Sequence, residues 1–158
     1  MAYLIDGNNL LGKVAPYELR SKDGRRLLAA RLLAFQKVTR TRIHLVFDGG
    51  SDLDTTTERL NEKVTVYFPG RGRSADDVIL EMLTGLKDRR RFFLVTSDSR
   101  LREAARKVGV TSIKSEDFAR ELGSALKIRR RQKELEKHVR APSPLELGLW
   151  EDFFRSRK

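Results

Sequence analysis

The sequence predicts an α/β fold, a three-layer sandwich whose central parallel sheet has about five strands, with a basic helical extension at its C-terminus. Three observations carry this. Short apolar, β-rich runs alternate with segments of helical spacing. Three of those runs end in aspartate, in "LIDGNN", "LVFDGG" and "LVTSDS". The last third of the chain loses its strand signal and turns basic.

Along the chain, "AYLI" (2–5), "IHLVF" (43–47), "VTVYF" (64–68) and "FFLVT" (92–96) read as strands, and "VTSI" (110–113) as a shorter fifth. Between them, "GRRLLAARLLAFQKV" (24–38), "SADDVILEMLTGL" (74–86) and "SRLREAARKVG" (99–109) place leucine and alanine at helical spacing. Ser74 suits an N-cap and Gly109 a helix stop. Strands that alternate with helices need crossovers, and crossovers make a parallel sheet covered on both faces. Residues 115–140 read as a long basic helix, with a break expected near Gly123. "APSP" (141–144) then interrupts the chain before the amphipathic "LELGLWEDFF" (145–154), a segment suited to docking on the body or pairing two copies as a homodimer. The expected division is a domain over 1–122 and an extension over 123–158.

Composition narrows the function. The 158 residues include 33 Lys and Arg against 22 Asp and Glu, a net charge of +11, which favours a polyanionic partner such as nucleic acid. With no cysteine, disulfides, thiolate metal sites and a cysteine nucleophile are excluded. No apolar stretch is long enough to span a membrane and no signal-type segment leads the chain, so a cytoplasmic location is the expectation.

In an open parallel sheet, ligands bind at the carboxyl ends of the strands. Asp6, Asp48 and Asp98 stand at three such ends, and Asp76 and Asp77 begin the helix after a fourth. Each has a structural alternative: Asp76 and Asp77 suit a helix N-terminus, Asp98 an N-cap and Asp48 a turn with Gly49. Asp6 has no evident cap or hairpin to serve. As a set, carboxylates held close together stay ionised only beside a cation, and an all-oxygen cluster suits Mg²⁺ or Mn²⁺. Such a site can activate water for in-line attack on phosphorus without a protein nucleophile. The two histidines, His44 in a strand and His138 in the tail, do not suit a Ser-His-Asp arrangement. Arg71 and Arg73, on a glycine-freed loop before Asp76, could hold phosphates, and "KDRRR" (87–91) and "KIRRR" (127–131, with Arg129 and Arg130) could extend a backbone-binding surface.

The ordered set "LIDGNNLLG", "LVFDGG", "SADDVI" and "LVTSDSRL" resembles the YacP-like branch of the NYN domain nucleases, within the PIN-like superfamily. The resemblance spans about residues 2–120. It implies a Mg²⁺- or Mn²⁺-dependent endoribonuclease with a Rossmann-like, PIN-like sheet, with some relatives acting on messenger RNA at the ribosome. It places the family acids on Asp6, Asp48, Asp76 and Asp98 and the family asparagine on Asn9, with Asp77 a weaker candidate. On that basis Asp6, Asp76 and Asp98 would hold the metal, Asp48 would be a further ligand or would support them, Asn9 would orient Asp6 or the phosphate, and Thr96 or Ser97 would hydrogen-bond a metal-bound water. Arg71 and Arg73 would bind RNA. Two rivals stand beside it. One is a non-catalytic RNA- or ribosome-binding protein of the same fold. The other is a dinucleotide-binding domain using "GRGRSA" at Gly70-Arg71-Gly72, with Asp98 on the ribose.

Overall fold

The computed structural model describes residues 1–14, 22–49 and 56–140. Six strands form one sheet: β1 (Ala2–Asp6), β2 (Arg42–Val46), β3 (Thr56–Arg59), β4 (Val64–Phe68), β5 (Phe92–Val95) and β6 (Thr111–Ile113). Their spatial order is β3-β4-β2-β1-β5-β6. The five anticipated strands all run parallel, and β3 adds an antiparallel edge paired with β4. Its sequence, "TTER", is exposed throughout, so no buried face imposed an apolar alternation that would have revealed it.

The chain builds outward from β1 through β2 to β4, then returns to β5 on the other side and continues to β6. The switch point therefore lies between β1 and β5, which makes their carboxyl ends the natural crevice.

Among the described residues, five α-helices cover the sheet: α1 (Gly7–Val14), α2 (Lys22–Thr39), α3 (Ala75–Gly85), α4 (Ser99–Lys107) and α5 (Ser115–Arg140). Strand residues alternate between faces. Tyr3, Ile5, Ile43 and Leu45 meet Leu10 and Leu11 of α1, Leu28, Leu32 and Phe35 of α2, and Phe118 and Leu122 of α5. Leu4, Val46 and Leu94 meet Ile79 and Leu83 of α3 and Leu101 and Ala105 of α4. The i, i+4, i+7 spacing of Leu28, Leu32 and Phe35 makes one apolar stripe along α2. Phe118, Leu122 and Ala125 do the same for α5, and each large side chain so buried contributes about 1.5–3 kcal/mol.

Helix α1 was not anticipated. Glycine and two asparagines are poor helix formers, but Leu10 and Leu11 are fully covered, and tertiary burial overrides propensity here. The break expected near Gly123 does not occur: α5 is continuous, and Leu122 and Ala125 on either side of it are core residues. The division drawn after residue 122 thus falls inside a helix. "APSP" and "LELGLWEDFF", with the dimer attached to the latter, lie outside the described residues. Among the described residues, no helix is long and apolar enough to cross a membrane.

Candidate active site

Strand periodicity decides which side chains share the crevice. Leu4 and Asp6 have the same parity, so Asp6 emerges on the α3/α4 side of β1. The β1–β5 register pairs Ile5 with Val95, which brings the next residue, Thr96, beside Asp6. Its hydroxyl donates to Asp6 Oδ2 at 3.0 Å, and both side chains are buried. On β2, Val46 faces α3/α4, and two residues on, Asp48 takes the same side: its Oδ1 accepts the Ala75 N–H at 3.3 Å, at the start of α3.

Helix starts supply the rest. Asp98 caps α4, its Oδ1 accepting from the N–H groups of Arg100 (2.8 Å) and Leu101 (3.1 Å). The Asp98 N–H in turn donates to Thr96 Oγ1 at 3.1 Å, so one hydroxyl ties Asp6 to Asp98. Asp76 is exposed in the first turn of α3.

The charges of these acids overlap. Burial raises the pKa of Asp6 to about 6; the Thr96 hydroxyl and the Asn9 N–H oppose this, while Asp76 and Asp98 add to it. The Asn9 contact means that Asp6 does serve a cap, that of α1, which the sequence did not disclose. Asp76 is also raised, by desolvation and then by Asp98 and Asp48, with Arg100 opposing. Negative charge gathered this way favours a cation. Among the described residues, no three acidic or histidine side chains close into a compact metal cage. Mg²⁺ retains several waters and needs only one or two direct carboxylates, so an open, all-oxygen rim fits it and Mn²⁺.

The neighbouring candidates divide. Asn9 Oδ1 accepts from the Ser97 N–H at 2.9 Å and from the Ser115 hydroxyl at 2.6 Å, so its side chain fastens the β5–α4 loop to the start of α5. Thr96 holds acids, and Ser97 donates its hydroxyl to Glu116 at 2.8 Å. Glu116 and Lys13, not foreseen, form an ion pair at 3.1 Å beside this loop. The Ser97 hydroxyl, the Glu116 N–H and Lys13 hold Glu116 down to about 2. No residue spacing marks them, because α1 and α5 meet only in the fold.

Asp77 belongs to a capping box: its Oδ2 accepts the Ser74 N–H at 2.9 Å while Ser74 Oγ accepts the Asp77 N–H at 3.2 Å. Those bonds lower its pKa and commit it to the helix. Arg73 is engaged in an ion pair with Glu81, whereas Arg71 is exposed on the turn closed by Arg73 N–H to Gly70 O. The start of α3 thus already receives Ser74, Asp77 and Asp48, three oxygen-bearing side chains at the helix turn where a dinucleotide pyrophosphate would have to sit, and it follows β4 rather than β1. "KDRRR" precedes β5, at the sheet edge opposite the acids. Arg129 and Arg130 stand about 20 Å along α5 from its contact with Asn9 and do not join the acid cluster.

Residues 3–151 match the family model of the YacP-like NYN domain. The chain belongs to the YacP-like NYN family. This is a family of PIN-like nucleases, and its match extends past the motifs into α5 and beyond. Two crystal structures of Rae1 (YacP) from Bacillus subtilis are similar to this YacP-like chain. One superposes with a TM-score of 0.71 at 21% identity, covering 99% of this chain and 91% of Rae1. The W164L mutant gives 0.69 at 21% identity, covering 91% and 86%. That likeness shows the fold. No curated protein sequence matches the chain.

Proposed function

We propose that this YacP-like protein is an endoribonuclease that hydrolyses RNA phosphodiester bonds with Mg²⁺ or Mn²⁺ held at the acid rim. The supporting observation is that Asp6, Asp48, Asp76 and Asp98 reach one side of the sheet from different elements, with their charges coupled at the switch point. Asp6, Asp76 and Asp98 would hold the ion and Asp48 would support them. When bound, the ion supplies an activated water and neutralises charge on the phosphate.

The chain's own groups set the geometry. Thr96 fixes Asp6 relative to Asp98, and Asn9 holds Asp6 through its N–H and the Ser97 loop through its side chain. Arg71, exposed beside the start of α3, would contact the RNA backbone, with Arg129 and Arg130 as a remote extension. The family resemblance supports messenger RNA at the ribosome as the substrate context.

The experiment compares wild type with Asp98→Asn on a labelled, partly structured RNA in EDTA, Mg²⁺ and Mn²⁺, with and without ribosomes. Metal-dependent internal cleavage by wild type alone is expected, and dependence on ribosomes would support that context. Salt-sensitive RNA binding without cleavage in any condition would sink the nuclease reading in favour of a binding protein. Equal cleavage by both proteins would sink the site.

A further inference from the structure

The acids occupy one side of the β2 carboxyl end. On the other side, where Phe47 points, lies a second cleft of about 350 Å³, lined by Arg25 and Arg26 of α2, Phe47, Phe68, Leu60 and Glu58. Phe47 and Asp48 are successive residues, so the cleft and the acid rim lie back to back across a single strand end.

Three features of this cleft suit a flat heterocycle. The Arg25 guanidinium lies 5.5 Å from the Phe47 ring centroid and donates through Nη2 to the Asp48 carbonyl at 2.8 Å. It is thus held as a plane, packed on Phe47 on one side and half exposed. Phe47 stacks in turn on Phe68, which is itself half-buried at the cleft wall. Glu58 pairs in register with Val66, a residue of the α1/α2 face, so the strand alternation turns its carboxylate toward the same cleft. Among the described residues, that carboxylate makes no ion pair or side-chain hydrogen bond, although two arginines line the cleft with it.

We infer that this cleft is a nucleobase subsite for single-stranded RNA that selects guanine, placing a neighbouring nucleotide while the scissile phosphate lies at the acids. The inference deepens the nuclease reading and rests on it for its substrate. Arginine planes and aromatic rings stack bases irrespective of identity. Selection then comes from Glu58, an acceptor. Guanine alone presents two adjacent donors, N1–H and the N2 amino group, that a carboxylate can take together. Asp48 links the two sites, since Arg25 holds its carbonyl and Asn8 Oδ1 accepts its N–H at 2.8 Å.

The test needs no turnover. Affinities are measured in EDTA, by fluorescence anisotropy, for oligouridine strands carrying one central guanine, inosine, adenine or no substitution, with wild type and Glu58→Gln. Wild type should bind the guanine strand about tenfold tighter than the inosine strand, which lacks only the amino group. Glu58→Gln should erase that difference while binding unsubstituted oligouridine as wild type does. Equal affinity for guanine and inosine, or a preference that survives in Glu58→Gln, overturns the subsite. The two readings fail separately: metal-dependent cleavage without guanine preference removes only the subsite, and guanine-selective binding without cleavage removes only the nuclease.

Discussion

At the scale of the residue, the burial of Asp6 opposes the metal-holding role proposed for it. Asp6 is 7% exposed, and its pKa is raised from an ordinary 3.8 to about 6, chiefly by burial. The folded state therefore binds this proton more tightly than the unfolded chain does. Its contribution to stability is fully present below about pH 4 and is lost as pH rises through about 6. In metal-free buffer at pH 8, Asp6→Asn should be more stable than wild type by about 1–3 kcal/mol, with the gap closing near pH 4. Mg²⁺ should raise the melting temperature of wild type and leave that of Asp6→Asn unmoved, because only the carboxylate form gains a cation. Thermal melts at the two pH values, with and without Mg²⁺, check both expectations; a wild type more stable than the variant at pH 8 without metal would contradict the burial argument.

At the scale of the element, the junction of β1 and α1 is the critical piece. A Cβ on Gly7 would lie 2.7 Å from the Phe47 ring and 2.8 Å from the Val46 carbonyl, against a strand that cannot move without disturbing the sheet. Gly7→Ala should therefore cost about 1–3 kcal/mol by denaturant unfolding. It should also reduce cleavage, because Asp6 and Asp48 sit on the two segments forced apart. Unchanged stability would mean that this approach is not needed. The sequence disclosed the glycine after Asp6 but not the helix it opens. Three poor helix formers and a length of two turns hid α1 although Leu10, Leu11 and Val14 share one face, whereas β3 is exposed throughout and carries no apolar alternation.

At the scale of the whole molecule, net charge and topology act over different ranges. The excess of +11 predicts RNA affinity that falls steeply with salt, whatever the base sequence. Arg129→Glu with Arg130→Glu, on the exposed second half of α5, should weaken RNA binding about tenfold and flatten the salt dependence by about two counterions. Such a change should leave any base preference at Glu58 intact, because the α5 positions do not line that cleft. Affinity titrations at several salt concentrations measure both effects, and an unaltered slope would remove α5 from the RNA surface.

The sequence by itself determined the parallel α/β class, the five parallel strands and the acids at their ends, because apolar periodicity and strand-end aspartates are local signals. It could not assign those acids their partners. That Asp77 and Arg73 are engaged within α3, that Asn9 clasps Ser97 and Ser115, and that Glu116 meets Lys13 were decided only by tertiary structure. The reason is separation along the chain: Asp6 and Thr96, or Arg25 and Asp48, become neighbours only when strand order and alternation bring distant segments to one sheet edge.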